Sequence, residues 1–365
     1  MTTTAPAPAN TALIAPGTTG LDERLIDSAT CALELFSIHI GRTLGLYDVV
    51  DGGVTVAKLA AQTGINSRYA REWLEQQTVA GFIDVDDDRR DWAERLYRLN
   101  DSQRALLVHA NDPSHVSPLA DMIVGIGSVI PEVVAGFTTG EGVPYSHYGA
   151  TFRDGQANIN RPAFVNDLVP EWVTPAVPDI VERLRHGGRI ADLGCGVGWS
   201  TVALTRAFPN TTVVGYDSDQ GSIDDARSVA DSQAVQAEFK AADAAQLADD
   251  GPFDLVVILE ALHDMADPGA VLAAVRRSLA PGGAVLIADE AVADEFSADA
   301  GDLERMFYGW SVVHCLPAAM AETPSAAIGT VIRPSHIRSL VEDAGYASFD
   351  HTDIDGGFFN IYVAR

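Results

Sequence analysis

The sequence predicts an α/β fold, a mainly parallel sheet wound with helices, preceded by a smaller helical unit. Three observations carry this reading. Short apolar runs ending in polar residues recur through the second half of the chain. A glycine-rich bend joins the first of these runs to a helical pattern, whereas the N-terminal part repeats its apolar residues at helical spacing. With 365 residues, 47% of them hydrophobic, the chain can bury two cores.

Residues 1–20 mix Thr, Ala and Pro, and no basic residue precedes an apolar segment. This predicts a disordered tail and not a signal peptide. From Leu21, the residues Leu25, Ile26, Ala29, Leu33, Phe36 and Ile40 recur near period 3.6 and predict a helix ending around Gly41 to Gly45. A second helix over residues 57–63, a turn at residues 64–66 and a third helix over about residues 67–79 follow. Ser67 is placed to cap that third helix, and Gly81 marks its exit. Residues 82–85 and 96–99 can then pair as a hairpin around a polar stretch. Helix-turn-helix plus hairpin resembles a winged helix, which sets a first domain at residues 21–110. In a DNA-binding reading Arg68 and Arg71 would lie on the recognition helix. The wing opposes that, with Asp84, Asp86, Asp87, Asp88 and Asp91 against Arg89 and Arg90.

Residues 111–188 form a connector rich in apolar residues among prolines and glycines, which predicts broken helices over the site. The loop at residues 142–149 would serve as a lid, with Tyr145, Tyr148, Phe152 and Phe164 facing a ligand or the core. The third domain spans residues 189–365. It opens on the apolar run ending at Asp192, followed by Gly194, Gly196 and Gly198 and then a helix from Trp199. Such a turn lays bare backbone and unpaired N–H groups against a nucleoside ligand. The next run ends in Asp217, where nucleoside-binding α/β folds place an acid that grips the ribose. Later runs lead to Asp243, to Glu260 with His263 and Asp264 just beyond, and to Asp289.

These motifs, in this order and spacing, resemble the class I S-adenosylmethionine-dependent methyltransferases over roughly the last half of the chain. The resemblance implies a Rossmann-like seven-stranded sheet and S-adenosyl-L-methionine as cofactor. It implies that Gly194, Gly196 and Gly198 line the methionine and ribose end and that Asp192 orients the amino group. Asp217 would take the ribose hydroxyls, Asp243 the adenine amine, and Glu260 would complete the cofactor set. A GxGxG spacing in place of GxGxxG argues against a nicotinamide cofactor.

Small-molecule O-methyltransferases with an N-terminal winged-helix dimerisation domain share this layout, and an actinobacterial group of winged-helix methyltransferases is similar. In the aromatic enzymes a His-Asp pair supplies the base and its neighbour, which His263 and Asp264 match, with Asp289 at one flanking position. The second flanking acid is missing, because the corresponding region reads Ile328, Gly329, Thr330 and Val331. An imidazole of ordinary pKa about 6.5 suits the removal of an acceptor proton. His263, Asp264 and Asp289 make too thin a ligand set for a metal, and none is expected.

A helical segment over residues 303–316 carries Met306, Phe307, Trp310 and His314. With Tyr148 and Phe164, Met306 and Trp310 are expected to wall an apolar pocket for an aromatic or polyketide-like acceptor. Residues 348–352 and 358–363 can close the sheet as a terminal hairpin. A formal charge of −27, with Lys58 and Lys240 the only lysines, disfavours nucleic acid and anionic membrane as partners. Cys31, Cys195 and Cys315 lack metal or disulfide spacing, which fits a cytoplasmic protein. No apolar stretch approaches the ~20 residues of a membrane span. The expectation is a homodimeric enzyme methylating an oxygen of a small molecule; the alternative is a winged-helix transcriptional regulator that keeps the fold as a ligand sensor.

Overall fold

The computed structural model describes residues 20–242, 247 and 250–365. Asp243 and residues 1–19 lie outside the described residues. The chain divides into two compact units, Met1–Arg104 and Ala105–Arg365, so the helical connector belongs with the sheet.

In the N-terminal unit the first helix, Leu21–Thr43, follows the expected apolar spacing. The helix Val56–Thr63 starts where the Thr55 side chain accepts the Lys58 N–H, and Ser67–Val79 follows. The cap of the latter is Asn66, whose side chain accepts from the Arg68 N–H at 2.8 Å. This corrects Ser67, which is already the first helical residue; Asn66 holds the extended backbone a cap requires. Strands β1 (Asp84–Val85) and β2 (Tyr97–Arg98) pair antiparallel as the wing. Arg68 pairs with Glu72, Arg71 with Glu75 and Arg90 with Asp86, so these arginines are engaged by acids of the same unit.

The second unit holds seven strands: β3 (Gly188–Leu193), β4 (Thr211–Asp217), β5 (Glu238–Ala241), β6 (Phe253–Leu259), β7 (Leu279–Glu290), β8 (Phe349–His351) and β9 (Phe359–Ala364). Their order is β5-β4-β3-β6-β7-β9-β8. The first five run parallel, and β9 lies antiparallel to both neighbours. Continuous apolar runs such as Val256, Val257 and Ile258 are buried because both faces of the sheet are covered. The chain winds outward from β3 in one direction and then returns to β6 on its other side. A crevice therefore opens at the carboxyl ends of β3, β4 and β6, where such folds bind ligands.

Two continuous helices, Leu119–Thr139 and Gly149–Asn166, replace the broken ones expected, each with a proline inside. Their packing overrides the proline penalty. A Cβ on Gly125 would meet Phe152 at 2.5 Å, and one on Gly155 would meet Met122 at 2.8 Å, so the two helices close against each other through glycine. Leu119–Thr139 is also long and apolar enough to cross a membrane by length and composition, which the sequence reading did not anticipate. Here Met122, Ile126, Val129 and Val133 form a buried cluster with Val143, Tyr148 and Phe152.

Candidate active site

The crevice is a cavity of about 760 Å³. Its floor is the turn after β3. Gly194, Gly196 and Gly198 have φ of 70°, 51° and 83°, the left-handed region where a side chain is strained. A Cβ on Gly198 would also strike the Phe239 ring at 2.8 Å, whereas one on Gly196 would meet nothing within 4 Å and would fill the cradle itself. The Gly194 and Cys195 N–H groups both donate to the Tyr216 carbonyl, at 2.8 and 3.0 Å, which fastens the turn to the end of β4.

Asp217 stands beside this turn. Its Oδ2 accepts from the Gly196 N–H and its Oδ1 from the Asp219 N–H, each at 2.9 Å. Desolvation raises its pKa against those backbone bonds, and each oxygen keeps a lone pair for a ligand hydroxyl. Glu260 follows β6 with φ 51°, a strained value for a residue with a side chain. Its carboxylate accepts from Asn160 Nδ2, and burial pushes its pKa up to about 7. Arg153 also lines the cavity and pairs with Asp225 at 2.7 Å.

Asp192 lies under the turn and not in the cavity lining. Its Oδ2 accepts from the Ser200 and Thr201 hydroxyls, at 2.7 and 2.6 Å, so the carboxylate ties the strand to the helix Trp199–Ala207. Burial raises its pKa to about 6. This corrects the expectation that it reaches a ligand amino group: the two hydroxyls turn it inward.

The cluster beyond β6 is almost fully enclosed. His263 is 1% exposed. Its Nδ1 lies 2.8 Å from Asp289 Oδ1 and 3.1 Å from Glu290 Oε2, and its Nε2 lies 3.3 Å from Asp264 Oδ1. Burial alone would lower the pKa of the ring; the carboxylates of Glu290, Asp264 and Asp289 overcome it and hold the ring protonated. Glu290 is pushed up by burial and by Asp289, while His263 holds Asp289 down against its own burial. The imidazolium supplies positive charge beside these acids; the ligand atoms of His263, Asp289 and Glu290, and those of His263, Asp264 and Cys315, also lie within 4.8 Å of one another, close enough to hold a metal ion. Asp264 lines the cavity and His263 does not.

Glu290 is the acid that sequence reasoning missed when it found no second flanking carboxylate. Neighbouring residues of a strand point to opposite faces, so nothing in the pattern suggested that Asp289 and Glu290 meet one ring at the end of β7. Asn160 was missed as well, being a mid-helix residue a hundred positions from its partner.

The acceptor wall differs from expectation. Phe164 lines the cavity, joined by Tyr145, Met265 and Pro324. Tyr148, Met306 and Trp310 do not. The Tyr148 hydroxyl donates to the Val313 carbonyl at 2.9 Å, Trp310 packs on the cluster around Phe152, and Met306 is 36% exposed. The helix Asp302–Trp310 and the wider turn Ser311–Cys315 direct this face toward Leu119–Thr139 instead of the crevice.

Residues 184–345 match the family described as Methyltransferase domain. This is a methyltransferase domain. Residues 31–108 match the Rv2258c-like winged HTH domain. The chain is 35% identical to the ubiquinone biosynthesis O-methyltransferase of Caulobacter sp. (strain K31) over 105 residues, 28% of this chain and 41% of that protein. It spans about half the length, 41–56%, of the curated relatives it matches. Among solved structures it is similar to an O-methyltransferase family protein from Burkholderia thailandensis, with TM-score 0.65, 17% identity and coverage of 96% of this chain and 98% of that one. Human N-acetylserotonin methyltransferase in complex with S-adenosylmethionine gives TM-score 0.65, 16% identity and coverage of 96% and 99%. The methyltransferase domain thus has the fold of the S-adenosylmethionine-dependent enzymes. The residues present fit that cofactor: a side-chain-free cradle at Gly196, with the half-satisfied carboxylate of Asp217 next to it.

Proposed function

We propose that the protein transfers a methyl group from S-adenosylmethionine to a small-molecule acceptor, an oxygen of an aromatic or polyketide-like compound. One observation carries the reading. A single cavity runs from the bare turn at Gly196 and the carboxylate of Asp217 to an end lined by Tyr145, Phe164, Met265 and Asp264. When bound, the cofactor supplies an activated methyl on a sulfonium. The protein's part is to hold the acceptor in line with that methyl, roughly 3–3.5 Å away, and to receive the acceptor's proton. Gly194, Gly196 and Gly198 cradle the nucleoside, Asp217 takes the ribose hydroxyls, and Glu260, kept in place by Asn160, flanks the turn. Aromatic and apolar side chains at the far end favour a flat acceptor over a charged one.

The winged-helix unit serves a second copy of the chain and not DNA, because Arg68, Arg71 and Arg90 are already paired with acids. The first helix leaves an apolar face uncovered, with Leu25 72% and Leu33 66% exposed. Calorimetry tests the cofactor assignment: the wild type releases heat with S-adenosylmethionine, and Asp217→Ala weakens binding at least ~10-fold, since charge-assisted hydrogen bonds contribute about 1.5–3 kcal/mol each. No heat with the wild type would end the reading. Mass spectrometry of a phenol and polyketide panel incubated with labelled cofactor identifies the acceptor.

A further inference from the structure

His263 and Asp264 stand together in the sequence, but the fold gives them different surroundings. The ring of His263 is buried beneath the cavity, and the carboxylate of Asp264 is part of the cavity wall. Both ring nitrogens face carboxylate oxygens: Nδ1 those of Asp289 and Glu290 at 2.8 and 3.1 Å, Nε2 that of Asp264 at 3.3 Å. A nitrogen lone pair aimed at a carboxylate would be repelled, so a ring held between acids on both sides carries hydrogen on both nitrogens. Such a ring has no lone pair with which to accept a proton. Asp264 Oδ1 is buried beside the ring, while a quarter of the Asp264 side chain stays exposed on the cavity wall, where an acceptor can meet it.

We propose that Asp264, and not His263, receives the acceptor's proton, with His263 acting as a positioning cation behind it. The proposal rests on the methyl-transfer reading. In the balanced step an Asp264 oxygen takes the proton from the acceptor hydroxyl. The acceptor oxygen's electron pair forms the bond to the methyl carbon, and the carbon–sulfur pair stays on sulfur. The carboxyl of Asp264 then returns its proton to solvent through the open cavity. The groups that act on Asp264 come from several elements: His263 from its own turn, Asp289 from β7, Glu260 from just after β6, Cys315 from the turn after Trp310, and Tyr145 and Tyr148 from the lid. The thiol of Cys315 and both phenols are pushed up by burial and stay neutral. Burial raises the pKa of Asp264 and His263 draws it back.

The test compares the full-length wild type, Asp264→Asn and His263→Gln, by cofactor calorimetry and by kcat against pH, with an acceptor the wild type methylates from a panel of phenols and hydroxyquinones. Asp264→Asn is expected to lower kcat ~10²–10⁴-fold and to abolish the rise of kcat with pH. His263→Gln is expected to keep that rise but move it to higher pH, because removing the neighbouring cation raises the carboxyl pKa. A merely structural histidine would not move the limb. Asp264→Asn turning over within threefold of wild type overturns the proposal, as does His263→Gln that binds cofactor yet loses the pH limb altogether. If Asp264→Asn does not fold, the pH profile of His263→Gln decides alone. A wild type that binds cofactor but methylates no member of the panel overturns the methyl-transfer reading and this proposal with it; wild-type turnover with an indifferent Asp264→Asn overturns this proposal only.

Discussion

Asp192 shows how one buried acid can link a strand to a helix at the expense of pH tolerance. Its carboxylate is enclosed, bonded by the Ser200 and Thr201 hydroxyls, and burial raises its pKa from the ordinary carboxylate value to about 6. For an acid raised in this way the folded state favours the protonated form. The stabilising contribution is complete below the unfolded value and is lost as pH climbs from about 4 through about 6. Asp192→Asn keeps an oxygen that can accept both hydroxyls and removes the titration. Denaturant unfolding at pH 4 and pH 8 should therefore show the variant gaining on wild type by ~2–3 kcal/mol between the two values; an unchanged difference would mean that the carboxylate is not desolvated. At this scale the sequence disclosed residue types and their order but not their partners. Asp217 could be placed because strand ends and glycine turns are local features. The inward turn of Asp192, the convergence of Glu290 on His263 and the reach of Asn160 depend on side-chain geometry across the fold.

At the scale of elements the reading was most complete where periodicity is strong. The strands β3, β4, β6, β7 and β9, the helix Leu21–Thr43 and the terminal hairpin all stand where apolar spacing and turn residues put them. It failed on the pair Leu119–Thr139 and Gly149–Asn166, because prolines and glycines speak locally for interruption while the packing that overrides them is tertiary. The glycines that looked like breakers are the contact itself. Gly125→Ala would push a methyl into Phe152, and Gly155→Ala one into Met122 and its backbone. Each should cost about 1–3 kcal/mol, the usual range for overpacking. Gly127→Ala serves as control, since a Cβ there would meet nothing within 4 Å. In thermal unfolding the first two should melt lower and the control should not. The same helix pair misled the acceptor-pocket reading: Trp310 and Tyr148 sit on the Leu119–Thr139 cluster, which helical spacing alone could not distinguish from a cavity wall.

At the scale of the whole molecule, the proposed dimer would bring together two chains that each carry a charge of −27. The helix Leu21–Thr43 buries only Ile38 and Gly41 and leaves Leu25, Leu33, Phe36 and Ile40 open to water along its length. An apolar stripe of that length asks for cover, while two strongly acidic copies repel over the Debye length, about 10 Å at 0.1 M salt. The two effects have opposite salt dependence. If apolar burial holds the dimer against charge repulsion, raising sodium chloride from 50 mM to 500 mM should tighten it, whereas an association driven by ion pairs would loosen. Light scattering should give twice the 38.7 kDa chain mass for wild type. The double variant Leu25→Glu with Leu33→Glu should return the mass of one chain, because each substitution adds charge where burial was favourable. Cofactor affinity, measured on the same samples, should stay within about twofold of wild type. A dimer that survives both substitutions would move the interface away from this helix, and a dimer that weakens with salt would overturn the hydrophobic account.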